Sequence, residues 1–244
     1  MDYSALKDQC ILWIRDWFRD NGNGCCAVLG MSGGKDSTVA AALCAKALGK
    51  DRVVGVAMPA EGQSLNDADR ICGYLGIRYI CAPIGEIVQG YRSIRDNLAE
   101  GFSAQCEQNI PPRVRMTVLY AISQSVGGRV VNTCNLSEDW IGYATRWGDS
   151  VGDFSPLGGL TVQEIRGIGH AMGLPSEWVD KTPDDGLPHS CSDEQKFGFS
   201  YETLDRYIRT GVCEDSVVRE KIDRMHRNNL FKLEMPQKFE PELQ

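Results

Sequence analysis

The residues best suited to chemistry in this chain form the glycine-rich loop Gly30-Met31-Ser32-Gly33-Gly34-Lys35-Asp36-Ser37. Glycines let a backbone approach an anion closely, and the first N–H groups of a helix lack partners within that helix. The two serines add hydroxyl donors, and the Asp36 carboxylate can hold a metal ion that bridges phosphates. The loop therefore predicts a phosphate site, although a glycine-rich turn can also be purely structural. Lys35 fits two interpretations, a phosphate contact or exposure to solvent.

Two well-known nucleotide-binding patterns are absent from this loop. No Gly-Lys-Ser/Thr sequence closes it, which excludes the Walker pattern, and the Gly-x-Gly-x-x-Gly dinucleotide fingerprint is missing. The loop resembles instead the SGGxDS pyrophosphate loop of the ATP pyrophosphatases. Those enzymes cleave ATP between its α- and β-phosphates and transfer AMP to an oxygen atom. The loop alone does not distinguish among the members of that superfamily.

A second candidate carboxylate, Glu138, ends the run Thr133-Cys134-Asn135-Leu136-Ser137-Glu138. The run follows a predicted strand, so Glu138 is expected near the carboxyl end of that strand. An acidic residue at this point also suits the start of a helix, with no further role. Glu138 by itself therefore leaves both interpretations open.

Alternating apolar patterns indicate the elements that position these residues. Strands are predicted at 26–29, 53–58, 77–82 and 129–134. Helices are predicted at 4–20, 36–48, 66–75, 83–108, 113–125 after a break at Pro111-Pro112, 136–143, 162–172, 201–210 and 216–230. This order predicts one α/β domain over residues 1–244, a doubly wound, mainly parallel sheet with helices on both faces. Ligands bind at the carboxyl ends of such strands, where the loop and Met58 would lie.

Composition narrows the class of protein. The 244 residues suffice for one sizeable domain, and a net charge of −7 argues against a nucleic-acid partner. No apolar run reaches membrane length and no secretory signal begins the chain, so we expect a cytoplasmic protein without membrane contact. The 10 cysteines include no Cys-x-x-Cys pair, which argues against a zinc knuckle.

Several further segments, in chain order, resemble the ammonia-dependent NAD synthetases. Sequences of that family carry, in this order, motifs of roughly the form N-x-x-x-R-x-R-M, N-K-S-E, T-K-Y-G-D-G-x-x-D, P-L, P-S/T-x-x-L and T/S-D-E…G-x-T/S-Y…L/I-D. The matching segments here are 109–116, 133–138, 145–153, 156–157, 183–187 and 192–205. The resemblance covers nearly the whole chain and is far more specific than the loop alone.

The resemblance implies a reaction and a role for individual residues. Deamido-NAD, ATP and ammonia would give NAD, AMP and pyrophosphate through an adenylated intermediate, with no covalent catalytic residue. Residues 30–37 would hold the ATP phosphates, Asp36 and Glu138 would bind Mg²⁺, and Thr133 would contact ATP. The residues expected to contact deamido-NAD are Arg113, Arg146, Asp153, His226 and Arg227. The resemblance also implies a homodimer, and because the matching segments begin with the first helix we expect free ammonia rather than glutamine as nitrogen donor.

Two positions depart from the family pattern. Val162 stands where many members carry lysine, and Asp184 replaces the Ser/Thr of P-S/T-x-x-L; both family residues are expected to meet ATP phosphates. An acid at 184 suits that role only if a metal intervenes or if Thr182 or Lys181 substitutes. The polar segment 180–193 is expected to be mobile and to close over bound substrates.

Two other classes of protein compete with the ligase. A tRNA thiolase or a related nucleobase-modifying enzyme would be expected to carry basic patches or Cys-x-x-Cys pairs. A non-catalytic nucleotide sensor would need neither Glu138 nor the arginines. Binding of deamido-NAD separates all three.

Overall fold

A parallel sheet carries the functional loops at one edge. The computed structural model describes residues 1–61, 66–181 and 192–241. Within these residues the strands are β1 (Cys26–Gly30), β2 (Val53–Ala57), β3 (Arg78–Cys81) and β4 (Gly128–Val130), in the order β3-β2-β1-β4. Every pairing is parallel, with Val28 of β1 opposite Val54 on one side and Val130 on the other. The carboxyl ends of all four strands therefore face the same way.

The helices cover both faces of this sheet. They are α1 (Tyr3–Asn21), α2 (Lys35–Leu48), α3 (Asn66–Leu75), α4 (Gly85–Asp96), α5 (Ala104–Ser125), α6 (Leu136–Ile141), α7 (Val162–Ala171), α8 (Ser176–Val179), α9 (Asp193–Phe197), α10 (Tyr201–Thr210) and α11 (Ser216–Asn229). Side chains alternate along a strand, so Leu29 packs into one core with α1, α2 and α7. Val28 packs into the opposite core with Ile110 and Val114 of α5. The predicted α/β fold, doubly wound with helices on both faces, is confirmed.

A third apolar cluster attaches the C-terminal helices to the site edge of the sheet. Its buried members come from α6, α7, α9, α10, α11 and the turn between α9 and α10, and they include Ile141, Val162, Tyr201 and Ile222. The cluster holds the short helix α6 and thereby fixes the position of Glu138. Among the described residues, no helix is long and apolar enough to cross a membrane.

The predicted break at Pro111-Pro112 is wrong. Helix α5 runs through both prolines, and the predicted helix at 83–108 is instead α4, a turn, and the first part of α5. The carbonyls that lose their helical donors belong to Glu107 and Gln108, which are exposed residues. Ile110 and Val114 are buried on either side of the prolines. Packing of this face outweighs the local cost of the prolines.

The fourth strand is shorter than the predicted 129–134. Beyond Val130 the chain pairs with the segment that returns from residue 149, through a bridge between Val131 and Phe154. The Asn132 N–H donates to the Phe154 carbonyl at 2.9 Å, and the Asn132 amide donates to the Asp149 carbonyl at 3.1 Å. A Cβ at Gly152 would lie 2.6 Å from the Asn132 nitrogen, so the close approach requires glycine. This contact folds the segment 145–155 over the site edge.

Candidate active site

The glycine-rich loop leaves β1 and opens directly into α2. Gly33 has φ +81°, and a Cβ there would lie 2.9 Å from the Asp67 Cβ, so glycine is needed for both conformation and space. Gly34 precedes α2, and no side chain of the described residues 1–61, 66–181 and 192–241 caps the first helical N–H groups. The hydroxyls of Ser32 and Ser37 lie 3.3 Å apart. Uncapped N–H groups, two hydroxyls and a helix dipole together suit an anionic ligand such as phosphate.

Asn135 connects the two residues that are predicted to bind the metal ion. Its side-chain oxygen accepts from the Glu138 N–H at 3.0 Å and thereby caps α6, while its amide donates to Asp36 Oδ1 at 3.2 Å. Asn135 is fully buried. The structure thus brings the end of β1 and the end of β4 together through one side chain. Sequence analysis missed Asn135, although an Asn three residues before a Glu at a helix start is a capping signal.

Glu138 is an electrostatically unusual carboxylate. Its removal from water, with the charge of Asp36 as the second cause, raises its pKa to about 8. A hydrogen bond from the Asn135 backbone N–H to this carboxylate opposes the rise, as does the charge of Lys35, but neither reverses it. A half-buried carboxylate beside a second carboxylate is a suitable environment for a hard cation. The residues present therefore fit Mg²⁺, which commonly takes one or two protein carboxylates together with substrate phosphates.

Lys35 is buried, which excludes solvent exposure as its role. The residue is 2 % exposed, and its ammonium group lies 2.8 Å from Asp36 Oδ2. The ammonium also lies 5.8 Å from the centre of the Tyr201 ring. Burial lowers the pKa of Lys35, but the charges of Asp36 and Glu138 outweigh burial and leave the pKa raised. The ammonium therefore stays charged beside both carboxylates.

The other residues that are predicted to contact ATP are Met58, Thr133 and Asp184. Met58, just after β2, is buried, and its Cε would lie 3.3 Å from a Cβ at Gly30. Met58 therefore packs directly under the loop. Thr133 is half-buried between β4 and α6. Asp184 and the matched segment 183–187 lie outside the described residues.

Two predicted substrate arginines are brought together above α5. Arg113 Nε donates to the Arg146 carbonyl at 3.4 Å. Asp153 lies on the same side of the sheet edge, where it accepts from the Val130 N–H at 2.7 Å and from the Tyr120 hydroxyl at 3.3 Å. One carboxylate oxygen of Asp153 is thus occupied by the backbone of β4. Asp153 therefore holds its own segment against β4, and its carboxylate can also accept a hydrogen bond from a ligand.

Arg146 lies in a cavity of about 340 Å³ that the C-terminal segment helps to form. The guanidinium lies 5.1 Å from the Trp147 ring centre and 5.2 Å from that of Phe231. Arg146 Nη2 donates to the Glu234 carbonyl at 2.9 Å, whereas its buried Nε has no hydrogen-bond partner within the part of the chain that the structure describes. Two aromatic faces around a guanidinium provide both a cation and flat apolar surface, which suits a nucleotide ligand.

His226 and Arg227 lie near the end of α11. The His226 ring stacks on Trp140 of α6 with centres 4.1 Å apart, and its Nδ1 pairs with the Trp140 carbonyl at 2.8 Å. Arg227 is exposed. His226 is therefore fixed against the helix that carries Glu138, while Arg227 is available to a ligand at the surface.

A phosphate-binding loop, a carboxylate pair and arginines at the carboxyl edge of a parallel sheet define an α/β enzyme that acts on nucleotides. Residues 6–239 match the family model described as NAD synthase. The NH(3)-dependent NAD(+) synthetase of Methanococcus aeolicus is 36% identical over 184 residues, which are 74% of this chain and 72% of that protein.

Two solved structures show the same fold. The NH3-dependent NAD synthetase of Campylobacter jejuni, in complex with the nitrate ion, has a TM-score of 0.79 at 27% identity and covers 98% of this chain and 100% of its own. The NMN synthetase of Francisella tularensis has a TM-score of 0.89 at 24% identity over 98% of both chains, which supports the fold alone. The chain belongs to the NAD synthase family. It is a ligase that uses ATP to amidate deamido-NAD.

Proposed function

We propose that residues 30–37 bind the ATP phosphates and that Asp36 and Glu138 hold Mg²⁺, with ammonia as the nitrogen donor. The observation that carries this proposal is that Asn135 links the Asp36 carboxylate, at the start of α2, to the backbone N–H of Glu138. When bound there, Mg²⁺ would neutralise charge on the phosphates and on the departing pyrophosphate.

The reaction proceeds through two displacements. A nicotinate carboxylate oxygen of deamido-NAD attacks the α-phosphorus of ATP, and the bond to pyrophosphate breaks. Ammonia then attacks the activated carboxyl carbon, the bond to AMP breaks, and the nitrogen loses a proton. The protein supplies orientation and charge rather than a nucleophile: N–H groups and Lys35 face the phosphates, and Arg113, Arg146, Asp153, His226 and Arg227 position deamido-NAD.

Product analysis tests the overall assignment. The purified chain with ATP, Mg²⁺, ammonium and deamido-NAD should form NAD, AMP and pyrophosphate in equal amounts. Glutamine free of ammonia should not replace ammonium, and at fixed total ammonium the rate should rise with pH as free ammonia increases. Nicotinate mononucleotide serves as the comparison substrate, because one fold neighbour is named an NMN synthetase. Preferred turnover of the mononucleotide, or equal use of glutamine, would contradict the proposal.

Substitution of each carboxylate tests the metal assignment. Asp36→Asn and Glu138→Gln keep side-chain size but remove one anionic ligand each. Turnover should fall about 100-fold or more, the usual effect of losing one electrostatic contact in a catalytic site. Asp69→Asn, on the exposed face of α3, is the matched control and should retain turnover. Near-normal turnover of either site variant at ordinary Mg²⁺ would refute the assignment.

We further propose a homodimer in which α4 contributes to the contact. The exposed apolar residues of α4 and the following turn, Ile87, Tyr91, Ile94 and Leu98, recur every three or four residues and form one stripe; they are 37% to 52% exposed. Such a stripe on a helix is typical of an interface. Light scattering after size exclusion should give twice the chain mass, and Ile94→Glu should shift it toward the monomer, whereas Glu86→Gln should not. A cytoplasmic location stays a prediction.

A further inference from the structure

Lys35 occupies a position that helix stability does not explain. It is the first residue of α2, where the helix dipole favours anions and disfavours cations. A lysine that is 2 % exposed also loses its hydration. The residue thus opposes two local preferences at once, which is typical of functional positions.

The charged groups that act on the ammonium are the two proposed metal ligands, Asp36 and Glu138, and the guanidinium of Arg166. The ammonium donates to Asp36 Oδ2 at 2.8 Å, and the other Asp36 oxygen accepts from the Asn135 amide at 3.2 Å. Glu138 acts on the ammonium electrostatically, and the Tyr201 ring lies 5.8 Å away. Both oxygens of Asp36 are therefore already paired within the protein.

A divalent ion and this ammonium cannot both bind Asp36 Oδ2 without strong repulsion between them. Mg²⁺ binds oxygen at about 2.0–2.1 Å, so an ammonium at hydrogen-bond distance from the same oxygen would lie against a like charge. ATP changes this balance because its phosphate oxygens offer new acceptors to the ammonium. The cost of displacing Lys35 is thus greatest for the free metal ion and smallest for the metal ion that arrives with nucleotide.

We propose that Lys35 is a tethered cation in the metal pocket that makes Mg²⁺ binding depend on nucleotide. Without nucleotide, Lys35 neutralises Asp36 and keeps free Mg²⁺ weakly bound. With ATP present, the ammonium moves from Asp36 Oδ2 to phosphate and Asp36 becomes a metal ligand. The inference rests on the proposed metal assignment and adds a residue that determines the order of binding.

Lys35→Met removes the charge and keeps much of the length of the side chain. Calorimetric titration with Mg²⁺ alone, repeated with Mn²⁺ by electron paramagnetic resonance, measures affinity without nucleotide. We expect the variant to bind the free ion at least about tenfold more tightly than the unmodified protein, the effect of removing one adjacent like charge. Its melting temperature should fall in EDTA and recover with Mg²⁺. Lys46→Met, an exposed lysine on the same helix, is the control and should show neither effect.

A double variant keeps the test decisive if Lys35→Met folds poorly. Lys35→Met with Asp36→Asn removes both partners of the pair, which costs less than stranding one buried charge. The double variant should be more stable in EDTA than Lys35→Met and should not respond to Mg²⁺. Unchanged affinity for the free ion in Lys35→Met, or a double variant that is no more stable in EDTA than Lys35→Met, would overturn the inference.

The single variant Asp36→Asn separates failure of this inference from failure of the metal assignment. Mg²⁺ affinity measured with ATP should fall in Asp36→Asn. If it stays unchanged, the metal assignment and the Lys35 inference both fail. If it falls while Lys35→Met gains no affinity for the free ion, only the inference about Lys35 fails.

Discussion

Replacement of Asn135 by aspartate should uncouple the two halves of the site. Asn135→Asp keeps the oxygen that accepts from the Glu138 N–H at 3.0 Å and caps α6. It replaces the amide that donates to Asp36 Oδ1 at 3.2 Å with a second oxygen. A donor to a carboxylate becomes a like charge beside it, at a position with 0% exposure. Asn135→Ala removes the cap and the donor together.

The expected losses follow from these contacts. Loss of the cap costs about 0.5–2 kcal/mol, and loss of a hydrogen bond to a charged group costs about 1.5–3 kcal/mol. Asn135→Ala should therefore lower the free energy of unfolding by about 2–5 kcal/mol. In Asn135→Asp the cap remains, but two unit charges about 3 Å apart repel by about 5 kcal/mol at an effective dielectric constant near 20. The aspartate variant should consequently be as unstable as the alanine variant near neutral pH.

Urea unfolding in EDTA and in Mg²⁺ distinguishes the two variants. Mg²⁺ should recover much of the stability of Asn135→Asp, because the added carboxylate can serve as a ligand, and little of that of Asn135→Ala. Turnover should fall in both, since Asp36 and Glu138 lose their common support. Asn23→Asp, an exposed residue in the turn before β1, is the control. Stability in EDTA and turnover both equal to the parent in Asn135→Asp would refute the coupling of α2 to α6.

Three further predictions concern pH, stability and substrate affinity. Because the folded protein raises the pKa of Glu138 from 4.5 to about 8, it binds that proton more tightly than the unfolded chain does. This stabilisation is complete below pH 4.5 and is lost as pH rises through 8, which lowers the free energy of unfolding by up to about 5 kcal/mol. Urea unfolding in EDTA at a series of pH values should show this decrease, and Glu138→Gln should abolish the pH dependence. Arg209→Met leaves the Glu164 carboxylate without its cation; Glu164 is 5% exposed, and Arg209 contacts it at 2.8 and 2.5 Å. The free energy of unfolding should fall by about 2 kcal/mol or more, which is less than for a fully buried pair because Arg209 is partly exposed. Glu164→Gln, added to Arg209→Met, should restore part of this loss. Arg146→Ala should raise KM for deamido-NAD about tenfold or more, with a smaller change in KM for ATP, and should speed proteolysis near Glu234. Arg19→Ala is the control. Equal changes in the two KM values would contradict the assignment of Arg146 to deamido-NAD.

Local patterns predicted the elements well where one face of each element is buried. The alternation along β1 and the glycine-rich start of α2 depend only on neighbouring residues, so the sequence was sufficient to predict them. Pro111-Pro112 shows the limit of such rules: the local cost of two prolines is real, but the burial of Ile110 and Val114 on α5 exceeds it. That burial depends on a sheet face assembled from distant segments.

The burial of Lys35 shows a second limit. A lysine beside an aspartate at a helix start is usually solvated, and nothing within the loop separates that arrangement from a buried one. The difference arises because Tyr201, far along the chain, packs with α6 and α7 and covers the ammonium group. Asn135 is similar, since its contact to Asp36 joins residues 99 positions apart. Both contacts depend on tertiary structure, which periodicity does not encode.

The order of the strands explains why the two predicted carboxylates meet at all. The alternation of strands and helices along the sequence predicts a parallel sheet with every strand's carboxyl end at one edge. It does not predict which strands are neighbours in that sheet. In the observed order β3-β2-β1-β4, the chain proceeds from β1 through β2 to β3 on one side and returns to place β4 on the other side of β1. The switch point therefore lies between β1 and β4, and ligands of open α/β sheets bind at such points. This adjacency places the loop 30–37 beside the segment 133–138 and not beside the end of β3, and it gives Asp36 and Glu138 a common ligand environment.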